Sequence, residues 1–372
     1  MIYWLKSAAG PVVNRGKAAY RRFEKYAPII SFIAGFSWDN FTLGRIDRVL
    51  DNSILLFYVV LAGVLIVIQN LVNHGVLSKP FWLRYREWYP VIVQFLFGGL
   101  FSAYVVFYSQ SAAFTKTDLF LAILIFLLLI NEFLRERLDN LYLQMSLYFL
   151  VVFAFLTFFL PVVIKKIAVW VFLLGGFLSL GIVLGIIFGL HYFSALKSRE
   201  QFQRVNSLIL GLFVIFNAFY FLNWIPPVPL SLKYGSICHS VERLDGKYQI
   251  TFEQPDWYQF WARFNPEFHY VEGDTVFCFA SVFAPTELGT SIFHHWQKWD
   301  EKNRRLQTTD RMRYQITGGR DSGYRGYTFK KNIMPGEWRV DVETESGKTL
   351  SRMKFEAITV DSIHVDLVQI TR

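Results

Sequence analysis

Residues 224–232 read WIPPVPLSL, and the chain changes character across them. Before Trp224 it is a series of long apolar stretches; after Ser231 it reads as short alternating segments with turn signals between them. Pro226, Pro227 and Pro229 predict a stiff extended connection, because proline fixes φ and cannot donate to a helix or ladder. Trp224 suits a membrane–water interface. Residues 226–235 are therefore expected to be a proline-rich linker between two halves.

The preceding half is too apolar for a soluble enzyme. The whole chain is 53% hydrophobic and only 18% charged, which already points to the membrane. A crossing helix needs about 20 mostly apolar residues. Six stretches qualify: 54–72, 90–112, 117–133, 141–163, 167–190 and 207–225. A seventh, PIISFIAGFSWDNFTL from Pro28, is short and carries Asp39 and Asn40; it either crosses or lies in the interface.

Charge counting separates these alternatives. If residues 28–44 cross, the segments on the side of the N-terminus hold 14 Lys/Arg and the opposite loops hold 5. If they do not, the division is 11 against 8. The excess of basic residues on cytoplasmic loops favours about seven spans, a cytoplasmic basic tail at 1–27, a bundle at 28–225 and an extracytoplasmic C-terminal domain at 236–372. The net charge of +9 lies entirely in the first half: residues 1–225 hold 19 Lys/Arg and 10 Asp/Glu, and 226–372 hold 19 of each. That is a topology signal, not the footprint of a nucleic-acid partner. The partner expected throughout is the lipid bilayer.

Few polar residues interrupt the spans: Asp39, Asn40, Gln94, Asn131, Glu132 and Asn217. Each is a functional suspect, because polar groups in hydrocarbon are costly. Glu132 has Arg135 at i+3 and reads as an ion pair at the membrane edge. Asp39 has Arg45 or a neighbouring helix as partner. Asp39 and Glu132 are the intramembrane candidates for transport or lipid chemistry.

After the linker, Trp338, Val340 and Val342 alternate with Arg339, Asp341 and Glu343, and Met353, Phe355 and Ala357 alternate with Arg352, Lys354 and Glu356. This period of two predicts half-buried strands turning at Glu345–Lys348. VFCFASVF, 276–283, is apolar on both faces and reads as a central strand. Further strands are expected at 248–253, 291–300, 311–317, 324–330 and 363–370, giving an all-β antiparallel sandwich. Residues 256–264, with Trp257 and Trp261, are a short helix or an aromatic-rich loop.

ITGGRDSGYRGYTFKKN, 316–332, is read as a hairpin: no Gly-Lys-Ser/Thr follows and no helix opens after it, so it is neither a nucleotide-phosphate loop nor a dinucleotide fingerprint. Arg320 and Arg325 either bind a phosphate or carboxylate or pair with local acids such as Asp321. With Tyr324, Tyr327 and one of Trp296 or Trp299 they form the candidate ligand-binding patch, suited to stacking a sugar or gripping an anion.

No catalytic residue is singled out. The seven histidines lack zinc-ligand spacing, His294 and His295 face opposite ways on a strand, and no nucleophile elbow is present, so no metal and no cofactor are expected. Cys238 and Cys278 form one disulfide or two buried thiols.

The motifs APT at Ala284, HHW at His294, GGR at Gly318, GYRGYT at Gly323 and GEWRV at Gly336 resemble the family called domain of unknown function 2914. GFSWDN at Gly35 and LGRIDRVLDN at Leu43 are similar to the membrane region often joined to that domain in bacteria. The resemblance implies a bacterial inner-membrane protein with a β-rich periplasmic domain, and it carries over no catalytic residues. Two functions are weighed: a non-catalytic protein displaying a sandwich that binds an envelope glycan, lipid head group or protein; or a transporter or lipid-processing enzyme acting within the bundle, with the sandwich as accessory. A closed bundle favours the first and a polar cavity the second.

Overall fold

The computed structural model describes residues 37, 43, 46–112, 119–131, 137–193, 196, 198–259, 262–320, 322–363 and 365–372. Asp39, Asn40, Arg45, Glu132, Arg135, Trp261, Asp321 and the basic tail lie outside the described residues, as does nearly all of the 28–44 segment.

Among the described residues, seven helices of defined extent precede the linker: α1 (Val49–Asn73), α2 (Pro80–Arg84), α3 (Trp88–Gln110), α4 (Leu119–Ile130), α5 (Leu141–Ile164), α6 (Val169–Tyr192) and α7 (Arg199–Phe221). Five of them, α1, α3, α5, α6 and α7, are long and apolar enough to cross a membrane. At 1.5 Å per residue, their 23–25 residues exceed the ~30 Å hydrocarbon core. α4 is described over 12 apolar residues, Leu119–Ile130, which fall inside its expected span. α2 was not legible as a separate helix; Pro80 at its first turn starts it, where the missing N–H is no loss.

Polar groups in the bundle serve as staples between helices. Tyr104 and Tyr108 of α3 donate to the carbonyls of Val151 and Ala154 on α5, at 3.0 and 2.9 Å. Tyr148 of α5 donates to Val59 of α1. Gln94 and Asn131 exchange side-chain-to-carbonyl bonds at 3.1 Å each. Asn217 turns back on its own helix, donating to Phe213 at 2.7 Å. In hydrocarbon such bonds replace the water that these groups lack.

The helix ends alternate between two faces of the bundle. Asp47 before α1, Gln110 at the end of α3, Phe120 in α4, Lys165 after α5 and Tyr220 in α7 all meet the C-terminal half. The segment 74–87, which includes α2, and residues 137–140 therefore occupy the opposite face, as do the C-terminal end of α6 and the N-terminal end of α7.

The linker is wedged, not extended. Ile225 and Val228 are buried in the helical core, and Leu230 in the core of the β domain. Val228 N–H donates to Pro226 and Leu230 N–H to Pro227, folding the prolines into turns. β1 begins at Ser231. The domain rests on the bundle instead of standing off from it, because the apolar residues between the prolines gain more by burial than by exposure.

Among the described residues, eleven strands follow: β1 (Ser231–Cys238), β2 (Ser240–Leu244), β3 (Lys247–Glu253), β4 (Glu267–Tyr270), β5 (Thr275–Phe283), β6 (Gly289–Asp300), β7 (Arg305–Thr317), β8 (Tyr324–Lys331), β9 (Gly336–Thr344), β10 (Thr349–Thr359) and β11 (Leu367–Thr371). They make sheets of order β1-β5-β8, β4-β10-β9-β6-β7 and β11-β3-β2. The domain thus has three layers where two were expected. Cys278, Ala280 and Val282 of β5 pack on the five-stranded sheet, through Trp296, Val340 and Phe355. On the other face of β5, Phe279 packs with Ile250 and Phe252 of the β11-β3-β2 sheet. This explains why residues 276–283 are apolar on both faces. β4 pairs parallel with β10, so the five-stranded sheet is mixed instead of purely antiparallel. Residues 256–259 and 262–264 form turns and loop, not helix.

Cys238 and Cys278 are free and buried. Cys278 belongs to the core on one face of the β1-β5-β8 sheet and Cys238 to the core on the other. Their sulfurs are thereby kept apart.

Candidate functional site

The Gly-rich run is not a hairpin. β7 pairs with β6 in the five-stranded sheet, whereas β8 pairs with β5 in the neighbouring sheet. Between Thr317 of β7 and Tyr324 of β8 the chain therefore changes layers, at the end of the domain nearest the bundle. Gly319 N–H donates to Ala284 at 3.1 Å, and Gly318 N–H to Leu288 at 2.9 Å. These bonds brace the loop 284–288, whose Thr286 donates from N–H and hydroxyl to Asp47, 3.0 Å each. Glu287 of the same loop pairs with Lys165. The run holds the docking loop against the helices.

The predicted ligand residues are not brought into one patch. Arg320 is exposed and lies 5.9 Å from the ring of Tyr324. Arg325 donates to Ser322 at 3.3 Å, on the opposite face of β8 from Tyr324. Tyr327 packs toward Tyr248, its ring centroid 6.1 Å away. Trp296 is fully buried, its indole donating to Thr328 at 3.1 Å, so it offers no surface. Thr328 also meets His294 at 2.9 Å, whose other nitrogen meets Tyr314 at 3.1 Å. Burial holds the His294 imidazole neutral, down at about 3. Trp299 lies near the far end of β6 from Gly289, which pairs with Thr317. At about 3.3 Å per residue that is on the order of 30 Å from the Gly-rich crossover.

The outer face of the five-stranded sheet collects more chemistry. The inward residues of β6, β9 and β10 are core, so alternation turns Phe293, His295, Gln297, Arg339, Asp341, Glu343, Arg352 and Lys354 outward. Arg352 grips Asp341 with two bonds, 2.8 and 2.9 Å. Arg339 lies 3.3 Å from the same carboxylate and donates to Gln297 at 2.7 Å. Glu343 accepts from His295 Nδ1 at 2.9 Å and from Arg311 at 3.4 Å. The Arg311 guanidinium sits 4.0 Å from the Phe293 ring. With Nδ1–H given to Glu343, His295 Nε2 accepts from Thr308 at 2.8 Å and Gln297 at 3.3 Å. Asp341 is 2% exposed and Glu343 7%, so the arginines are held by buried carboxylates in fixed positions. Each guanidinium carries five N–H donors, more than these bonds use. Alternation in the sequence identified the face; which acid held which base depended on cross-strand register.

A second cluster has no sequence signal, because its members come from separate strands. The Glu253 carboxylate, 2% exposed, accepts from His239 at 3.0 Å and from His269 Nδ1 at 2.9 Å. It also accepts from the His269 N–H at 2.6 Å. Burial pushes this carboxyl up, but the bonds from His239 and His269 outweigh burial and hold it below its ordinary 4.5. An unfolded chain therefore takes up the proton first as pH falls. The stabilisation is full above about 4.5 and is lost as pH falls through the lower folded value. We expect the stability difference between wild type and Glu253→Gln, read from denaturant melts of the full chain, to shrink across that acid window. A difference that stays constant would contradict this assignment.

Together these observations define a membrane protein with a helical bundle and a three-layer C-terminal β domain. Residues 289–357 of that domain match the family described as "Protein of unknown function (DUF2914)". The match runs from β6 to near the end of β10 and contains the whole outward array described above. No curated protein matches the chain. Among solved structures, β-glucosidase from Listeria innocua aligns at 12% identity over 26% of this chain and 15% of its own length, TM-score 0.19. A Pseudomonas fluorescens alkylpurine DNA glycosylase bound to DNA aligns at 10% identity over 78% and 76%, also with TM-score 0.19. The chain thus spans only a small part of the β-glucosidase, and likenesses this weak carry no argument.

Proposed function

We propose that the protein is a non-catalytic anchor in a bacterial inner membrane, displaying its β domain on the periplasmic side to bind an envelope component. The observation that carries this reading is the outward array in the matched segment, where Arg311, Arg339 and Arg352 are positioned by Asp341 and Glu343. Planar donors of this kind fit carboxylate or phosphate, and Trp299 and Phe293 supply rings beside them. A glycan or lipid head group bearing an anionic group is the best-fitting ligand, and an acidic protein surface is the next. Among the described residues, Tyr104, Tyr108, Tyr148, Gln94 and Asn131 use side-chain polar groups to tie helix to helix, which suits an anchor better than a transporter or lipid-processing enzyme. Arg320 and Arg325 stand near the bundle, where lipid head groups are the reachable anions.

The test is retention of envelope fractions, glycan fragments and extracted proteins by the full chain in lipid nanodiscs. Trp299→Ala, Arg311→Gln and Lys354→Ala together remove ligand-reachable groups from the face, while Glu343 keeps its bond from His295. We expect micromolar or weaker binding that falls about tenfold or more in this variant. Equal retention would refute the face as the site. Loss only in an Arg320→Ala, Arg325→Ala variant would move the site to the bundle-proximal end.

A further inference from the structure

On the face of the bundle opposite the β domain, α1, α2 and α3 enclose an apolar groove of about 430 Å³. Five rings line it: Phe81 and Trp82 of α2, Tyr85 just after it, and Trp88 and Tyr89 at the start of α3. Leu65 and Ile68 of α1 and Ile92 of α3 complete it. The rings are fixed to one another. Phe81 meets Trp82 and Tyr85 edge-on at 5.3 and 5.5 Å, and the Tyr89 hydroxyl donates to the Trp82 carbonyl at 3.1 Å. The volume falls within the range of about 300–1,000 Å³ usual for small-molecule sites. Phe81 and Trp88 remain exposed, 64% and 60%. The segment that carries these rings is basic: between His74 and Ile92 the charged residues are Lys79, Arg84, Arg86 and Glu87, all exposed, with Arg86 donating to Asn73 at 3.0 Å. The short helix thus combines a ring-lined cleft at the level of the span ends with a positive edge.

We propose that this groove binds one acyl chain of an anionic membrane phospholipid, whose head group lies against Lys79, Arg84 and Arg86. An acyl chain fills an apolar cleft at the end of two spans, and the basic rim selects the charge. Tryptophan and tyrosine at this depth hold the interface, and basic residues beside a span attract anionic lipid. Nothing in this assignment depends on what the β domain binds.

The experiment uses the full chain in bilayers doped with phosphatidylglycerol or phosphatidylcholine brominated on the acyl chains, and reads tryptophan quenching. The signal of the groove is the difference between wild type and a Trp82→Phe, Trp88→Phe variant. At equal low mole fraction, brominated phosphatidylglycerol should quench that signal at least about threefold more than brominated phosphatidylcholine. Raising salt should shrink the excess. Lys79→Ala, Arg84→Ala, Arg86→Ala should abolish it, and Arg84→Gln alone should reduce it. Equal quenching by both lipids would mean an unselective annulus and would overturn the proposal. So would an excess that survives both salt and Arg84→Gln. Absence of quenching by either lipid would show that protein covers the groove.

Discussion

Gly318→Val is expected to destabilise the β domain by about 3 kcal/mol or more, the upper range for overpacking. A Cβ at Gly318 would overlap the backbone carbonyl of Pro285, and the neighbouring carbonyl of Ala284 is also too close. Backbone atoms cannot rotate away as a side-chain tip can. To admit the new atoms, the loop 284–288 must move, and that loop carries Thr286 to Asp47 and Glu287 to Lys165. The damage should therefore reach the contact with the bundle. Gly319 provides the internal comparison. Its φ is +106°, where only glycine is unstrained, but a Cβ there meets Thr286 at an ordinary 3.7 Å. Gly319→Val should cost about 1–3 kcal/mol, from strain alone. Thermal melts of the full chain in detergent, with protease sensitivity of the 224–232 segment, will rank the two. A Gly318→Val protein that melts and resists protease like wild type would mean the crossover does not brace the docking loop.

Lys348→Met is expected to stabilise the junction between the halves at neutral pH. Lys348 lies in the β9–β10 turn, is 7% exposed, and places its amine 3.1 Å from the centre of the Tyr220 ring of α7. Ile167, Phe172 and Pro226 line the same small cleft. Burial pulls this amine from 10.5 down to about 7. The difference, 10.5 minus about 7, is about 3.5 units, or on the order of 5 kcal/mol at 1.36 kcal/mol per unit. A desolvated cation–π contact returns roughly 2 kcal/mol of that, leaving a net gain for methionine on the order of 2–3 kcal/mol. The sign with pH follows. Between about 7 and 10.5 the exposed amine of an undocked or unfolded state holds its proton while the buried one has lost it. Wild-type stability should therefore rise with pH across that window, and Lys348→Met should flatten this rise. Denaturant melts of both proteins at several pH values measure it. A methionine variant less stable than wild type at pH 7, with the alkaline rise intact, would show that the amine is favourably charged in place.

The division of the chain was legible in its sequence because hydrophobic runs of 20 residues and strands of period two are local signals. Residues 276–283 announced a strand covered on both faces. What covers each face is a matter of pairing between distant strands, so a two-layer sandwich was expected where three layers exist. The Gly-rich run shows the same limit. Glycine marks the need for unusual backbone or close approach, but only the partners of β7 and β8 distinguish a hairpin from a crossover. Trp296 and Trp299, three residues apart, face opposite ways by alternation, and only the pairing of β6 with β9, beside Val340, and the layer packed beneath decide which ring enters the core. Lys348 falls in the turn expected at Glu345–Lys348, and its burial depends on where that turn lands on the bundle. The Glu253 cluster was beyond reach because His239 and His269 lie on separate segments that meet only in the fold.

Sidedness can be read with a membrane-impermeant maleimide on right-side-out spheroplasts. Cys238 and Cys278 are buried, so the background should be low. Lys354→Cys reports the outward face of the five-stranded sheet, and Arg84→Cys reports the opposite end of the bundle. We predict that Cys at 354 is labelled on intact spheroplasts and that Cys at 84 is labelled only after the membrane is permeabilised. Labelling of position 84 from outside, with position 354 protected until permeabilisation, would put the β domain in the cytoplasm and contradict the account.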